Sequence, residues 1–186
     1  MVKQIEFASK YLPKNLKCQI VSFLRITWAE GFVGKNRLRN WISKESDHPY
    51  HIMLVEKDIL IAHTEVVWKK LIHEKVTYKA YGLSGIFTYP NFRGEGYGVR
   101  IMKAGTEYIK KQNVDIGIFH CNPKLKDYYT KGGWIAMEHS PATLIGPKKA
   151  LKKSNELMMM FLSEKGKKGR KSFEAKALYF GEDTTW

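Results

Sequence analysis

The stretch YPNFRGEGYGVRIMKAG, Tyr89 to Gly105, joins a strand-like run to a helix-like run through three glycines spaced two residues apart. Because glycine has no side chain, its backbone can approach another group closely and can adopt left-handed conformations. Downstream of the glycines, apolar residues recur at spacings of three and four, which predicts a helix that begins at the turn. The function depends on which group the backbone of this turn contacts.

Two familiar phosphate-binding motifs do not fit the glycines. A dinucleotide-binding fingerprint needs a third glycine where this chain has Val99, and a Walker loop needs Lys-Ser/Thr after the glycines. The remaining functional interpretation is a helix N-terminus whose N–H groups and positive dipole receive a pyrophosphate, with Arg93 and Arg100 adding charge. The alternative is an ordinary turn in which glycine only supplies left-handed conformations.

Length and composition predict one domain spanning residues 1–186, since 186 residues with 44% hydrophobic content can bury a single core. No apolar run is long enough for a membrane span, and the first twenty residues do not resemble a signal peptide. Cys18 and Cys121 are far apart and lack metal-ligand spacing. We therefore expect a soluble, cytoplasmic protein with no metal and no membrane partner.

The net charge of +14 would attract a polyanion, whether nucleic acid or a small molecule. Much of the excess lies in PKKALKK, Pro147 to Lys153, and EKGKKGRK, Glu164 to Lys171, neither of which contains the aromatic residues that stack on single-stranded bases. We interpret both segments as solvated loops. A nucleic-acid partner is not expected, although a basic nucleic-acid-binding module stays open as an alternative.

Hydrophobic periodicity predicts a chain of mixed strands and helices. Helices are expected over Pro13 to Trp28, after the glycines, and briefly within Pro123 to Gly133, with a short amphipathic piece ending near Trp41 and Ile42. Strands are expected in Val2 to Lys10, on both sides of Lys57-Asp58 within His51 to His73, in Val76 to Pro90 with a bulge near Gly82 or Gly85, in Val114 to Asn122, from Trp134, and over Glu156 to Glu164 and Phe173 to Phe180.

The segment RGEGYG, Arg93 to Gly98, resembles the Arg/Gln-x-x-Gly-x-Gly/Ala pyrophosphate loop of the GNAT superfamily of acetyl-coenzyme A-dependent N-acetyltransferases. A second family feature follows in NPKLKDYYTKGGW, where Asn122, Tyr129, Gly133 and Trp134 occupy the matching positions. Similarity over Ile59 to Lys148 and in the terminal GEDTTW resembles the aminoglycoside 2'-N-acetyltransferase branch, whereas the first fifty residues match poorly.

This resemblance implies a mixed α/β fold, in which helices flank a twisted, largely antiparallel sheet, and it implies acetyl-coenzyme A as cosubstrate. An acceptor amine would attack the thioester directly, and Tyr129 matches the family tyrosine that protonates the leaving thiolate. The resemblance also implies a coenzyme site in which one group of residues pairs with the pantetheine arm and a second group binds the pyrophosphate. The first group is Ile86, Phe87 and Thr88; the second is Arg93, Gly94, Glu95, Gly96, Tyr97 and Gly98; Asn122 completes the predicted coenzyme site.

The general base has several candidates. Where the aminoglycoside branch has a glutamate followed by glycine, this chain has Ser84 and Gly85. Serine is an inefficient base near neutral pH, so the proton must leave through ordered water or through another group. The candidates for that group are His120, Glu65 and the terminal carboxylate of Trp186.

The resemblance implies a small-molecule primary amine as acceptor, aminoglycosides among them. However, the segment expected to line the acceptor pocket, Ala29 to Trp41, is basic, and near the end of the chain only Glu182 and Asp183 precede the final TTW. A neutral or acidic amine is therefore an alternative acceptor. Ser84 also leaves open a coenzyme A-binding protein with lost or regulatory catalysis, and the family suggests a homodimer.

Overall fold

A computed structural model describes residues 1–138, 140, 144–145 and 156–181. Within these residues the chain forms four α-helices and nine β-strands, joined by short 3-10 turns. The helices are α1 (Lys14–Thr27), α2 (Tyr97–Lys110), α3 (Lys126–Thr130) and α4 (Glu164–Ala175). The strands are β1 (Lys3–Ala8), β2 (Tyr50–Glu56), β3 (Ile59–His73), β4 (Val76–Thr88), β5 (Ile116–Cys121), β6 (Ile135–Ala136), β7 (Leu144–Ile145), β8 (Glu156–Phe161) and β9 (Tyr179–Gly181).

Seven strands hydrogen-bond in the order β1-β2-β3-β4-β5-β8-β6, and β7 pairs with β9 in a separate two-stranded sheet. Pairing in the larger sheet is mostly antiparallel, and β4 runs parallel to β5, with Ala80 opposite Ile116. A parallel pair needs a crossover, which α2 supplies between these two strands. The mixed α/β architecture with a largely antiparallel sheet is confirmed.

By its internal contacts the chain divides into two compact units, of which the first comprises residues 1–66 and 84–105. Its core forms around the apolar face of α1, where the expected helical spacing buries Leu16, Ile20, Phe23 and Leu24. Phe23 stacks on Phe87 of β4, with ring centroids 4.1 Å apart. This packing holds the end of β4, which the sequence assigns to the coenzyme site.

The second unit comprises residues 67–83 and the described part of 106–186. Antiparallel pairing of β5 with β8 builds its centre, where Met158, Met159 and Met160 are buried. Gly117 of β5 makes room for a large neighbour, since a Cβ there would come within 2.9 Å of the Trp134 ring. Trp134 is buried and donates through Nε1 to Thr106 Oγ1 at 2.9 Å.

The interpretation of Glu164 to Lys171 as a solvated loop is wrong, because this segment opens α4. Ser163 caps the helix by accepting a hydrogen bond from the Gly166 N–H. Gly166 and Gly169 suggested a loop, yet both allow close packing: a Cβ would overlap the Asp115 carbonyl oxygen at Gly166 and the Tyr78 hydroxyl at Gly169. Lysines occupy the exposed part of the helix surface.

Two other expectations also need correction. Phe173 to Phe180 does not form one strand, because α4 runs to Ala175 and β9 begins at Tyr179. The piece expected to end near Trp41 is a series of 3-10 turns over Ala29–Phe32 and Gly34–Asn36, followed by irregular chain. The other basic segment, Pro147 to Lys153, lies outside the described residues. Across the described ranges, no helix is long and apolar enough to cross a bilayer.

Candidate functional site

The glycine-rich turn lies between β4 and α2, as the sequence predicts. Gly94 and Gly96 adopt left-handed conformations, with φ of 86° and 82°, that strongly favour glycine. Among the described residues other than the adjoining ones in the chain, no heavy atom lies within 4 Å of where a Cβ would stand at either position, so the turn is open. The turn is also tied to β4, because Arg93 Nε donates to the Thr88 carbonyl oxygen at 3.1 Å.

At the start of α2, the first i→i−4 hydrogen bond runs from the Arg100 N–H to the Gly96 carbonyl, at 3.0 Å. The amides of Tyr97 and Val99 come before that bond, and amides in the first turn have no partner within their own helix. Together with the helix dipole, they form a cationic surface beside the exposed Arg93 and Arg100. Such a surface can receive a phosphate group.

The end of β4 adjoins this turn. Gly85 is left-handed, with φ of 52°, which accords with the bulge expected at Gly82 or Gly85. After it, Phe87 is buried in the core while Ile86 and Thr88 are half-buried. The next residue is fixed on both sides, because the Tyr89 hydroxyl donates to the Gln19 carbonyl at 2.8 Å and its N–H donates to the Ile61 carbonyl at 2.9 Å.

Glu65 lies on β3 and is fully buried. It accepts a hydrogen bond from Ser43 Oγ, whereas its Oε2 has no hydrogen-bond partner among the described residues. Burial raises the pKa of Glu65 to about 7, and this effect outweighs the influence of the Ser43 and Ser84 hydroxyl groups and the charge of Arg39, which lower it. In the part of the chain that the structure describes, no lysine forms an ion pair with Glu65.

Two buried histidines lie beside Glu65. His51 is opposite Glu65 in the pairing of β2 with β3, and its Nδ1 is 3.6 Å from Glu65 Oε2. His63 Nδ1 lies 2.7 Å from the Gly85 carbonyl oxygen, and His63 Nε2 lies 3.1 Å from His51 Nδ1. A carbonyl oxygen can only accept, so His63 carries its proton on Nδ1 and accepts from His51 through Nε2.

Both imidazoles are neutral at physiological pH. Burial, with a smaller effect from Lys17, lowers the pKa of His51 to about 4, and burial, with the neighbouring His51, lowers the pKa of His63 to about 3. Among the described residues, His51 Nε2 has no hydrogen-bond partner. No group of three His, Cys, Asp or Glu side chains in the described ranges has the geometry of a metal site.

Arg39, expected in the acceptor-binding segment, bonds to this segment's own backbone. Its guanidinium donates to the carbonyl oxygens of Trp41, at 2.8 Å, and of Ile42. The guanidinium carbon also stands 4.0 Å from the centroid of the Trp41 ring. These contacts hold the loop that carries Ser43 in place beside Glu65.

Tyr129, the predicted acid, lies on α3 in the second unit. Its side chain is buried and packs edge-on against Phe119, with ring centroids 4.7 Å apart. Burial, together with Tyr128 and Cys121, raises its pKa well above the ordinary tyrosine value. The phenol is therefore neutral at physiological pH. Asn122 is exposed and caps the 3-10 turn before α3, where its Oδ1 accepts from the Lys124 N–H at 3.0 Å.

The other candidate bases fall in different places. His120 lies on β5 opposite Leu157, with its ring edge-on to Phe180 at 5.4 Å. Its neighbour Cys121 is buried, and burial raises the pKa of the thiol to about 11. Trp186, like Glu182 and Asp183, lies outside the described residues.

Ser84 and Glu65 both belong to the unit that also carries the glycine-rich turn. His120, Asn122 and Tyr129 belong to the other unit. Ser43, His51 and His63 were missed by the sequence analysis. One signal was present, because His63 and Glu65 are two residues apart on a predicted strand and so share a face.

A strand that ends in an open glycine-rich turn at a helix N-terminus can receive a phosphate-bearing ligand. Residues 20–134 match the model of the acetyltransferase (GNAT) family, which is more than half of the chain. The chain belongs to this family. A comparison with curated protein sequences found no significant match.

Solved structures share the fold of this chain. ElaA of Escherichia coli is 14% identical, with a TM-score of 0.60 over 86% of this chain and 99% of its own. An acyl-CoA N-acyltransferase from Pseudomonas aeruginosa is 12% identical, with a TM-score of 0.58 over 86% and 99%. The catalytic domain of the Tetrahymena GCN5 histone acetyltransferase, in complex with coenzyme A, is 13% identical, with a TM-score of 0.53 over 88% and 95%. These similarities establish the GNAT fold.

Proposed function

We propose that this protein transfers an acetyl group from acetyl-coenzyme A to the primary amine of a small molecule. The observation that carries the proposal is the open turn at Gly94 and Gly96, which leads into the N-terminus of α2. A pyrophosphate needs backbone amides unobstructed by side chains, together with positive charge, and the turn offers both. The family membership and the coenzyme A bound by the Tetrahymena relative support this assignment.

In this proposal the coenzyme lies along the end of β4 and the turn that follows it. Ile86, Phe87 and Thr88 pair through their backbone with the pantetheine arm, and Arg93 to Gly98 bind the pyrophosphate. The acceptor nitrogen attacks the thioester carbon, and the tetrahedral intermediate collapses to an amide and the coenzyme A thiolate. Tyr129 gives the thiolate its proton, and Asn122 holds the turn that leads to α3.

The acceptor is the open part of the proposal. Aminoglycosides carry several ammonium groups, and the segment from Ala29 to Trp41 offers them Glu30 but also Lys35, Arg37 and Arg39. Like charges would weaken the binding of a polycation there. We therefore include a neutral amino sugar and an amine with an acidic group in the acceptor panel, beside aminoglycosides, polyamines and lysine peptides.

Calorimetry with acetyl-coenzyme A tests the coenzyme site. Gly96→Ala places a Cβ on a left-handed residue in the turn, and we expect it to weaken binding at least tenfold. Gly34→Ala is the matched control, because Gly34 is also left-handed, with φ of 54° and open space around it, but lies outside the turn. We expect this control to bind like the wild-type protein. A wild-type protein that binds no acetyl-coenzyme A would overturn the proposal.

Thiol release in the same samples, on addition of each acceptor, then tests the reaction. Release with one class of amine would establish acetyl transfer and name the substrate class. Tight binding without release for any acceptor would favour the alternative of a coenzyme A-binding protein without catalysis.

A further inference from the structure

His63 contacts β4 on both sides of Ile86, the first residue of the segment proposed to pair with the pantetheine arm. Its Nδ1 lies 2.7 Å from the Gly85 carbonyl oxygen, and its ring centroid lies 5.4 Å from that of Phe87. A Cβ at Gly85 would stand 3.5 Å from His63 Cε1, so the backbone there packs directly against the imidazole. One side chain of β3 therefore contacts the residues before and after Ile86.

The Gly85 carbonyl needs such a partner because of the conformation of this residue. Gly85 has a φ of 52°, and the extra residue of a β-bulge is left without a regular partner in the ladder of strand hydrogen bonds. His63 is fully buried, so separating its N–H from this carbonyl would cost free energy at both groups. The hydrogen bond therefore favours one orientation of the peptide that joins Gly85 to Ile86.

We propose that His63 is a positioning residue for coenzyme binding: by holding the Gly85 carbonyl, it directs the Ile86 N–H toward the pantetheine arm. This inference deepens the proposed function and rests on it, since it takes the coenzyme to lie along Ile86 to Thr88. Because a peptide is planar and almost always trans, its C=O and its N–H point in opposite directions. A carbonyl held against His63 therefore turns the N–H of the same peptide away from the buried imidazole.

His51 keeps His63 in the tautomer that this role requires. His51 Nδ1 lies 3.1 Å from His63 Nε2, so a proton on Nδ1 of each ring lets His51 donate to His63 while His63 donates to Gly85. Both rings are neutral at physiological pH, and a neutral imidazole carries a single N–H. The proton of His63 is therefore on the nitrogen that faces the carbonyl.

The far end of the same segment is fixed by contacts that do not involve His63. The Tyr89 hydroxyl donates to the Gln19 carbonyl at 2.8 Å, and the Tyr89 N–H donates to the Ile61 carbonyl at 2.9 Å. The glycine-rich turn follows beyond this point in the chain. Loss of the His63 hydrogen bond should therefore loosen the peptide before Ile86 and leave the pyrophosphate-binding turn in place.

Binding of two ligands separates this role from a general loss of structure. Acetyl-coenzyme A contains the pantetheine arm, whereas its 3'-phosphoadenosine diphosphate part contains the pyrophosphate alone. In calorimetry, we expect His63→Leu, which removes the donor, to weaken acetyl-coenzyme A binding about tenfold and to change binding of the nucleotide by less than about twofold. Gly96→Ala should weaken the binding of both ligands. Equal losses for the two ligands in His63→Leu, or no loss for either, would overturn the inference.

His63→Asn is the conservative variant, because an asparagine amide nitrogen can occupy the position of Nδ1 and donate to the Gly85 carbonyl. We expect it to recover most of the affinity for acetyl-coenzyme A that His63→Leu loses. An asparagine variant that binds no better than the leucine variant would mean that the hydrogen bond does not position the coenzyme.

His73→Leu is the matched control for the loss of a buried imidazole. His73 is also buried and also packs on a phenylalanine ring, that of Phe173, with centroids 4.2 Å apart, but it belongs to the other unit. We expect this control to bind both ligands like the wild-type protein, even if its unfolding temperature falls as far as that of His63→Leu. A control that reproduces the selective loss of acetyl-coenzyme A affinity would overturn the role of His63.

Nuclear magnetic resonance supplies a readout that depends on neither activity nor coenzyme. Nitrogen chemical shifts distinguish the protonated nitrogen of a neutral imidazole from the bare one, and we expect the proton of wild-type His63 on Nδ1. A proton on Nε2 would leave the Gly85 carbonyl without its donor and would overturn the inference. A wild-type protein that binds no acetyl-coenzyme A overturns both the proposed function and this inference. Equally tight binding by the wild-type protein and His63→Leu overturns this inference alone.

Discussion

His63 holds the backbone of Gly85, with its Nδ1 2.7 Å from the carbonyl oxygen of the only left-handed residue described in β4. The carbonyl fixes the proton on Nδ1, so Nε2 must accept from His51. This polarity allows both rings to be buried without charge. Folding therefore keeps the two histidines unprotonated at a pH where they would be protonated in the unfolded chain. Burial has the opposite effect on Glu65, which stays protonated in the folded protein at a pH where it would be ionised in the unfolded chain.

The first prediction concerns the pH dependence of stability. Between about pH 4.5 and 6.5 the unfolded chain binds one more proton at each of His51 and His63, while the folded protein binds one more at Glu65. Each proton changes the free energy of unfolding by about 1.4 kcal/mol per pH unit. The three groups together should make stability rise with pH by about 1.4 kcal/mol per unit in this range.

Replacing His63 by glutamine isolates the contribution of His63 to the slope of stability against pH. Glutamine retains a donor for Gly85 but does not titrate, so the contribution of the cluster to the slope should fall to near zero over the same range. Denaturant unfolding at a series of pH values, followed by circular dichroism, measures the slope. Equal slopes in the wild-type protein and the variant would mean that His63 is not excluded from protonation by folding.

The second prediction concerns the glycines of α4. In an exposed helix interior, Gly→Ala stabilises by about 1 kcal/mol, but at Gly166 the new Cβ would overlap the backbone carbonyl of Asp115. We expect Gly166→Ala to lower the free energy of unfolding by about 1–3 kcal/mol. Lys168→Ala, at an exposed position of the same helix, should change it by less than about 0.5 kcal/mol.

Gly169→Ala allows a sharper test of the same packing, because its Cβ would meet a side chain, the Tyr78 hydroxyl. Tyr78→Phe removes that oxygen and should recover part of the loss. In a double-mutant cycle measured by thermal unfolding, the two substitutions should therefore couple favourably. Additive effects would contradict the close approach of α4 to Tyr78.

The third prediction concerns Asp115, which joins several elements of the second unit. Its Oδ1 accepts from Ser163 Oγ at 2.7 Å, and its Oδ2 accepts from the Lys79 N–H at 2.8 Å and faces Lys165 Nζ at 2.6 Å. In Asp115→Asn an amide NH₂ would face donors, so we expect a loss of about 1–3 kcal/mol in unfolding experiments. Lys165→Met should cost less than about 1 kcal/mol, because its ion pair is half-exposed.

Titration offers a second check on Asp115. Burial alone would raise the pKa of its carboxyl, but Lys165, the Lys79 N–H and Ser163 together hold that pKa below the ordinary value. The stabilisation is therefore complete above the ordinary aspartate pKa and is lost as the pH falls through the lowered value. Nuclear magnetic resonance titration should find this carboxylate ionised at pH values where exposed aspartates are already protonated.

The fourth prediction concerns Tyr129. If its phenol protonates the leaving thiolate, Tyr129→Phe should lower kcat by about 10²- to 10⁴-fold and leave the affinity for acetyl-coenzyme A unchanged. Tyr128→Phe is the matched control on the same helix, and we expect near wild-type turnover from it. Steady-state thiol release and calorimetry measure the two quantities. An active Tyr129→Phe protein would return Tyr129 to a packing role against Phe119.

Local patterns predicted most of the fold. The helical spacing in α1, the two strands around Lys57-Asp58 and the glycine-rich turn into α2 were all found as expected. Each depends on neighbouring residues alone, because burial on one face imposes a period of 3.6 or 2 on the sequence. The prediction from local patterns was wrong for α4, because glycines among lysines are typical of a loop. In this helix the glycines instead allow close packing against a neighbouring strand.

The sequence by itself determined the family, the glycine-rich turn before α2 and the absence of a carboxylate at position 84, because each of these depends on residues close together in the chain. Only the tertiary structure decided that Glu65 is buried with the hydroxyl group of Ser43 as its donor. Its pKa of about 7 results from the exclusion of water by the packed unit. No local pattern encodes that exclusion, because desolvation is a property of the whole packed core.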